Sequence, residues 1–202
     1  MFPRAFKEGL LILLVFMIFG YFIYEKLEQK RIAAMGTVKE QPIQEITNSP
    51  SLQRDDYHIY PVARYAVRAK VLSSERYRVG RMSDLSPLDL ALGWGPMSRN
   101  DVIEKLDIRQ SNRWYYYRWE GTPPIDPVDI IRSSANTHLI FAGDSVKSKL
   151  LKVRAGEIVN LKGYLVNVRH RDGWTWNTSL TREDSGAGSC ELMWVEEAVI
   201  EN

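Results

Sequence analysis

Two residues in this chain stand where covalent catalysis could use them together. Ser185 stands in the Gly-rich run Asp184-Ser185-Gly186-Ala187-Gly188-Ser189, and His138 lies upstream of it. A serine hydroxyl is a weak nucleophile until a base takes its proton, so Ser185 with His138 is the smallest set that would support a serine hydrolase. The same run also has the composition of a flexible hairpin loop. His138, with Asn136 before it and Leu139-Ile140 after it, equally fits a hydrogen-bonded core histidine. Spacing does not make a triad; geometry does. Metal chemistry finds less support, because His58, His138 and His170 lack paired ligand spacing and a lone Cys190 cannot form a Cys-x-x-Cys pair. No metal and no cofactor is expected. Walker A and Rossmann fingerprints are missing, and His170-Arg171-Asp172 lacks the other kinase segments.

Residues suited to binding are more numerous. In Asn112 to Glu120, NRWYYYRWE, alternation puts Arg113, Tyr115, Tyr117 and Trp119 on one face and Trp114, Tyr116 and Arg118 on the other. Either face would serve as a stacking platform edged by Arg; the blander expectation is a central strand covered on both sides. Trp94 sits between Gly93 and Gly95, and Trp174 and Trp176 share one side of a strand. These three tryptophans form either an exposed partner surface or a plug closing the end of a sheet. Val62 to Met82 is basic while Glu183 to Glu201 is rich in Glu, which suggests either an anion-binding strip or two segments that neutralise each other.

The elements that must position these residues follow from pattern. The chain has 202 residues, 45% apolar and 26% charged, with a formal charge of +2, which allows one ordinary domain and excludes rods, collagen and disorder throughout. One Cys excludes a disulfide-stapled miniprotein. Strands are predicted at Tyr65–Leu72, Asn112–Glu120, Thr137–Ala142, Glu157–Arg169 (bent at Gly163), Trp174–Leu180 and Cys190–Ile200. Helices are predicted at Ser86–Leu92, Ser98–Leu106, Pro127–Ser133 and Ser145–Val153. The expected class is α+β: an N-terminal transmembrane helix, then a mainly antiparallel, strongly bent sheet or small partly closed barrel with short helices.

Five of the six Phe residues fall in the first two dozen positions, whereas every Trp lies beyond position 90. Gly9 to Tyr24 carries no charge. Extended to residues 5–27, with Lys7 and Lys26 snorkelling, it is expected to be a single-pass signal anchor contacting the membrane. Residues 1–35 then form the anchor and its flanks, 36–56 a flexible linker with Pro42 and Pro50, and 57–202 a soluble domain. That arrangement implies an inner-membrane protein with a periplasmic domain in a bacterium.

RAGEIVNLKGYLVNV, at Arg154 to Val168, is similar to one curved strand of an OB-like barrel. GWGPMS (Gly93 to Ser98), SANTHLI (Ser134 to Ile140), GYLV and GWTWNTSLTREDSGAGSCE (Gly173 to Glu191) resemble segments of a bacterial family of small, often membrane-anchored proteins with no established activity. That resemblance implies no catalytic residue. The DSGAGS run is also similar to the nucleophile segment of chymotrypsin-like serine proteases, but Glu183 stands where Gly is expected and His138 lacks the family's context. The function expected from all of this is a membrane-anchored, non-catalytic binding or assembly protein. It would engage an envelope partner, protein or glycan, through Trp94, Trp174 and Trp176. The alternatives are a serine hydrolase, or an OB-like nucleic-acid binder using Arg113, Trp114, Tyr116 and Arg118.

Overall fold

In the computed structural model, the structure describes residues 13–14, 16–24, 27, 36–181 and 189–201. The chain divides into two units, Met1–Met35 and Gly36–Asn202. In the first, residues 13–14, 16–24 and 27 are helical. No helix among the described residues is long and apolar enough to cross a membrane. The expected single-pass signal anchor over residues 5–27 is thereby corrected; its remaining residues lie outside those described. The physical shortfall is one of length. Gly9 to Tyr24 is the whole uncharged run, fewer than the about 20 apolar residues that a helix needs to span a hydrocarbon core of about 30 Å.

The second unit is mainly β, which corrects the expected α+β class. Its organising element is β3, Tyr57–Arg76, whose burial alternates strictly from Tyr57 to Arg64 and almost so to Lys70. β3 is long enough to take several neighbours along one side: β2 (Leu52–Arg54), β1 (Ile43–Ile46) and then β4 (Leu88–Gly93). Residues 36–56, read as a linker, therefore supply two strands, and Val38 is completely buried. Polar strands of this kind are held by main-chain hydrogen bonds, which composition does not advertise. Pro61 lies inside β3. The register against β8 (Ile158–His170) slips between Pro61 and Ala63, where proline has no N–H to offer the ladder.

On its other side β3 pairs with β8 over thirteen register positions, from Tyr57↔His170 to Lys70↔Ile158. β4 pairs with β7 (Ser134–Phe141), β7 with β10 (Glu191–Glu201), and β10 with β8. The order β3-β4-β7-β10-β8 thus returns to β3 and closes a five-stranded ring. The β7–β10 pair is parallel, so the sheet is mixed where a mainly antiparallel one was expected. A parallel pair needs a long connection, and the helix Asp144–Leu150, β8, and β9 (Thr175–Trp176) all lie within it. Closure requires strong bending, and Gly163 permits it in β8. Its φ is +159, and an added Cβ would collide with the carbonyl oxygen of Trp194 on β10.

Ala63, Val67, Leu90, Leu139, Leu161, Leu165, Met193 and Val195 are buried on the five ring strands. Each such Val or Leu contributes about 1.5–3 kcal/mol on burial. Two further clusters flank them. One joins Tyr57, Ile140, Val166, Leu192 and Trp194, with Trp174 and Trp176 packed against it. The other joins Leu72, Ala91, Met97, Val102 and Ile130, with Tyr115, Tyr117 and Trp119 packed against it.

Two more expectations change here. Ser86–Leu92 is not a helix: Leu88 to Gly93 forms β4, buried along its whole length. Both faces of that strand are covered, so its outward positions are not polar enough to reveal period 2. Ser98–Leu106 is likewise reduced to a 3-10 turn, Gly95–Ser98, and one helical turn, Asn100–Ile103. Ser98 does not cap that helix; it is buried and its hydroxyl accepts from the Val38 N–H.

Candidate binding surface

Asn112 to Glu120 does not form a central strand. β5 (Asp107–Ser111) and β6 (Trp114–Arg118) make a separate two-stranded ribbon. The turn residues Asn112 and Arg113 have φ of +52 and +71, the two consecutive left-handed residues of a tight hairpin turn. Asn tolerates that conformation; Arg does not readily, and its side chain shows what holds it there.

Asp89 on β4 and His138 on β7 are a cross-strand pair. Asp89 is 0% exposed, and its Oδ1 accepts from Arg113 Nη1 at 2.6 Å. His138 Nδ1 lies 2.9 Å from Asp89 Oδ2, an ion-pair distance, without a hydrogen bond between the two atoms. The Arg113 guanidinium sits 3.7 Å from the ring centre of Tyr77 and 5.8 Å from that of Trp176. Trp176 also lies against His138, ring centres 4.7 Å apart. The backbone completes the attachment: the Arg113 N–H donates to Tyr77 Oη, and the Arg113 carbonyl accepts from Asn136 Nδ2, both at 2.9 Å. Gln110 Nε2 donates to Asn136 Oδ1 at 2.7 Å. Burial, and then the Asp89 charge, push the Tyr77 phenol up to about 12.

This cluster is a clasp. It fastens the ribbon's turn to the β4–β7 face of the ring, with Arg113 inserted between two aromatic rings and neutralised by a carboxylate. Asp89 and Tyr77, which sequence pattern did not single out, are essential members; Asp89 was hidden inside a segment read as helical. The commitment of Asp89 to Arg113 and the cover of Trp176 over His138 leave that histidine 3% exposed, a poor position for general-base work. Ser185 lies outside the described residues, so the hydrolase reading has no placed nucleophile. Among the described residues, no group of three or more His, Cys, Asp or Glu side chains is placed to hold a metal ion.

The proposed tryptophan surface is dispersed. Trp94 is 0% exposed, and its backbone N–H donates to the Ser133 carbonyl at 2.9 Å. The flanking glycines explain how the chain carries it inward: Gly95 has φ of +49, and a Cβ on Gly93 would collide with the Met97 carbonyl oxygen. Trp94 is therefore a core residue. Trp174 and Trp176 are half-buried, with ring centres 6.0 Å apart. Arg81 stacks near Trp174 and pairs with Asp172, which also meets His170. Two cations of the basic stretch, Arg68 and Arg81, are paired with carboxylates. Arg68 forms a bidentate pair with Glu201 at 2.7 Å on each arm, and its hydrogen bonds hold the Glu201 carboxyl below its ordinary range.

What stays uncovered is the outer face of the ribbon. Trp114 is 39% exposed and Tyr116 48%, with Arg118 exposed beyond them on the same side of β6. Opposite them on β5 stand Ser111, Arg109 and Asp107, all exposed. The other face, with Tyr115, Tyr117 and Trp119, packs against the second apolar cluster. The ribbon thus has one structural aromatic face and one free one. Comparison of the chain with family models, curated proteins and solved structures returned no match.

Proposed function

We propose that this protein is a non-catalytic binding module that engages a protein or glycan partner through the outer face of the β5–β6 ribbon. The observation that carries this reading is the free Trp114–Tyr116–Arg118 face. Exposing two large aromatic rings side by side forgoes the stabilisation of burying them, and such rings are the usual anchors of binding surfaces. The clasp supports the same reading, because it fixes the ribbon rigidly to the ring through Arg113 and Asp89 and so pre-organises the face for a ligand. By topology, the ring resembles the five-stranded barrels that bind oligomers across their second and third strands. Here β4 and β7 hold those places, and the ribbon is inserted between them in sequence and docked on them through Arg113 and Gln110. The analogy is one of fold and carries no residue roles.

The test is retention from a total cell extract fractionated into protein, polysaccharide and nucleic acid. Wild-type protein should retain a defined fraction, and the Trp114→Ala/Tyr116→Ala double variant, folded by circular dichroism, should lose it. Equal retention by the two proteins would refute the proposed surface.

A further inference from the structure

The charges around the ribbon narrow the ligand, given the binding-module reading on which this step rests. We propose that the outer face of the ribbon and the groove at its open end form a site for a neutral, extended oligosaccharide. The groove lies where β5 begins and β6 ends. Glu104, Lys105, Asp107, Arg118, Trp119 and Glu120 line a volume of about 680 Å³, inside the range of about 300–1,000 Å³ usual for ligand clefts. Trp114, Tyr116 and Arg118 lead into it along one face. At about 3.4 Å per residue, the track from Trp114 to Arg118 is about 14 Å long.

A sugar ring offers a face of C–H groups and a rim of hydroxyls, each both donor and acceptor. The exposed rings of Trp114 and Tyr116 suit the first. The second needs acceptors and donors side by side, and the track and groove supply carboxylates at Glu104, Asp107 and Glu120 and cations at Lys105, Arg109 and Arg118. The Arg109–Asp107 pair, at 2.9 Å, is exposed and therefore weak enough to exchange its partner for a ligand hydroxyl. Three charges of each sign cancel. A nucleic acid or an anionic polysaccharide gains from the cations but meets three carboxylates, which works against the electrostatic term that dominates such binding. A protein partner calls for a patch depleted of charge at its centre, whereas here charged residues interleave with the rings. The neutral glycan uses every group present.

The experiment titrates the full chain with cellohexaose, laminarihexaose, maltohexaose and chitohexaose, following tryptophan fluorescence and calorimetry, with thymidine and hyaluronan oligomers as controls. The expected result is saturable binding of at least one neutral hexasaccharide, insensitive to salt. Trp114→Ala and Asp107→Asn should each weaken it by at least about tenfold, with unchanged thermal midpoints. Arg118→Gln, also at an exposed position, is the second variant should either of these fail to fold. Absence of binding to all four saccharides overturns the proposal, as does saccharide binding that the variants leave unaltered. Salt-dependent binding of the thymidine oligomer alone overturns the glycan assignment, and its loss in Trp114→Ala would keep the binding-module reading standing.

Discussion

Removal of the Arg113 side chain is the perturbation whose cost the structure defines most clearly. In Arg113→Ala, Asp89 stays where it is, 0% exposed on β4, without the Nη1 donor now 2.6 Å from its Oδ1. Taking one partner from a buried ion pair costs about 3–5 kcal/mol, because the remaining charge is cut off from water; here it keeps only His138 beside it, 2.9 Å from Oδ2. The loss of the Tyr77 and Trp176 stacking adds to it by about 0.5–2 kcal/mol. With a urea dependence of about 2 kcal/mol per molar, the denaturation midpoint should fall by about 2 M. The double variant Arg113→Ala/Asp89→Asn removes the stranded charge and should recover a large part of the loss, a coupling of about 1–3 kcal/mol. Hydrogen exchange adds location: amides of the β5–β6 ribbon should lose protection in the single variant more than those of β3 and β8, since only the ribbon is fastened by the clasp. A single-variant cost below about 1 kcal/mol, or a double variant as unstable as the sum of the singles, would refute the assignment of Arg113 and Asp89 as the clasp.

Four other outcomes follow from the placement of particular groups. Trp94→Ala empties a fully buried site and should cost about 3–5 kcal/mol in chemical denaturation. Trp114→Ala on the exposed face of β6 should stay within about 0.5 kcal/mol of wild type. A spectrophotometric titration should separate the phenols. Tyr57 and Tyr77, each pushed up to about 12 by burial, with hydrogen bonding to Asp84 next for the first and the Asp89 charge for the second, should ionise well above the ordinary phenol value of about 10. Because a raised phenol value stabilises the fold below the unfolded value and not above the folded one, stability should decline between about pH 10 and 12. Glu201 behaves in the opposite sense. Its carboxyl is depressed by Arg68, so its contribution is present above the unfolded value of 4.5 and lost as pH falls through the folded value. Glu201→Gln should cost less than about 1 kcal/mol at neutral pH, discounted for exposure, and nothing in acid, as read from urea midpoints at the two pH values.

The residues that report their own environment were legible early. The alternation in Tyr65–Leu72 and the bend at Gly163 lie within observed strands, and the apolar run Thr137–Ala142 and the strand Cys190–Ile200 match β7 and β10 except at Ala142 and Cys190. These depend on local pattern, which sequence carries directly. Ser86–Leu92 misleads for a tertiary reason: its outward positions are covered by the ribbon, so Asp89 can be a buried anion and Ala91 a core residue on a strand that shows no polar face. The ribbon itself was invisible because its turn is Asn112-Arg113, without the glycine that usually marks two left-handed residues, and Arg113 is held there by a carboxylate more than twenty residues away in the chain.

Sequence alone therefore determined which segments favour extended backbone, that no metal or nucleotide motif is present, and that aromatic and Arg residues alternate in Asn112 to Glu120. Tertiary structure alone decided which of those rings are free. Trp94 went into the core and Trp114 stayed at the surface, although for both residues pattern left a covered and an exposed place open. The reason is that exposure is a property of what covers a residue, and cover comes from strands brought together by ring closure and by one buried Arg–Asp pair.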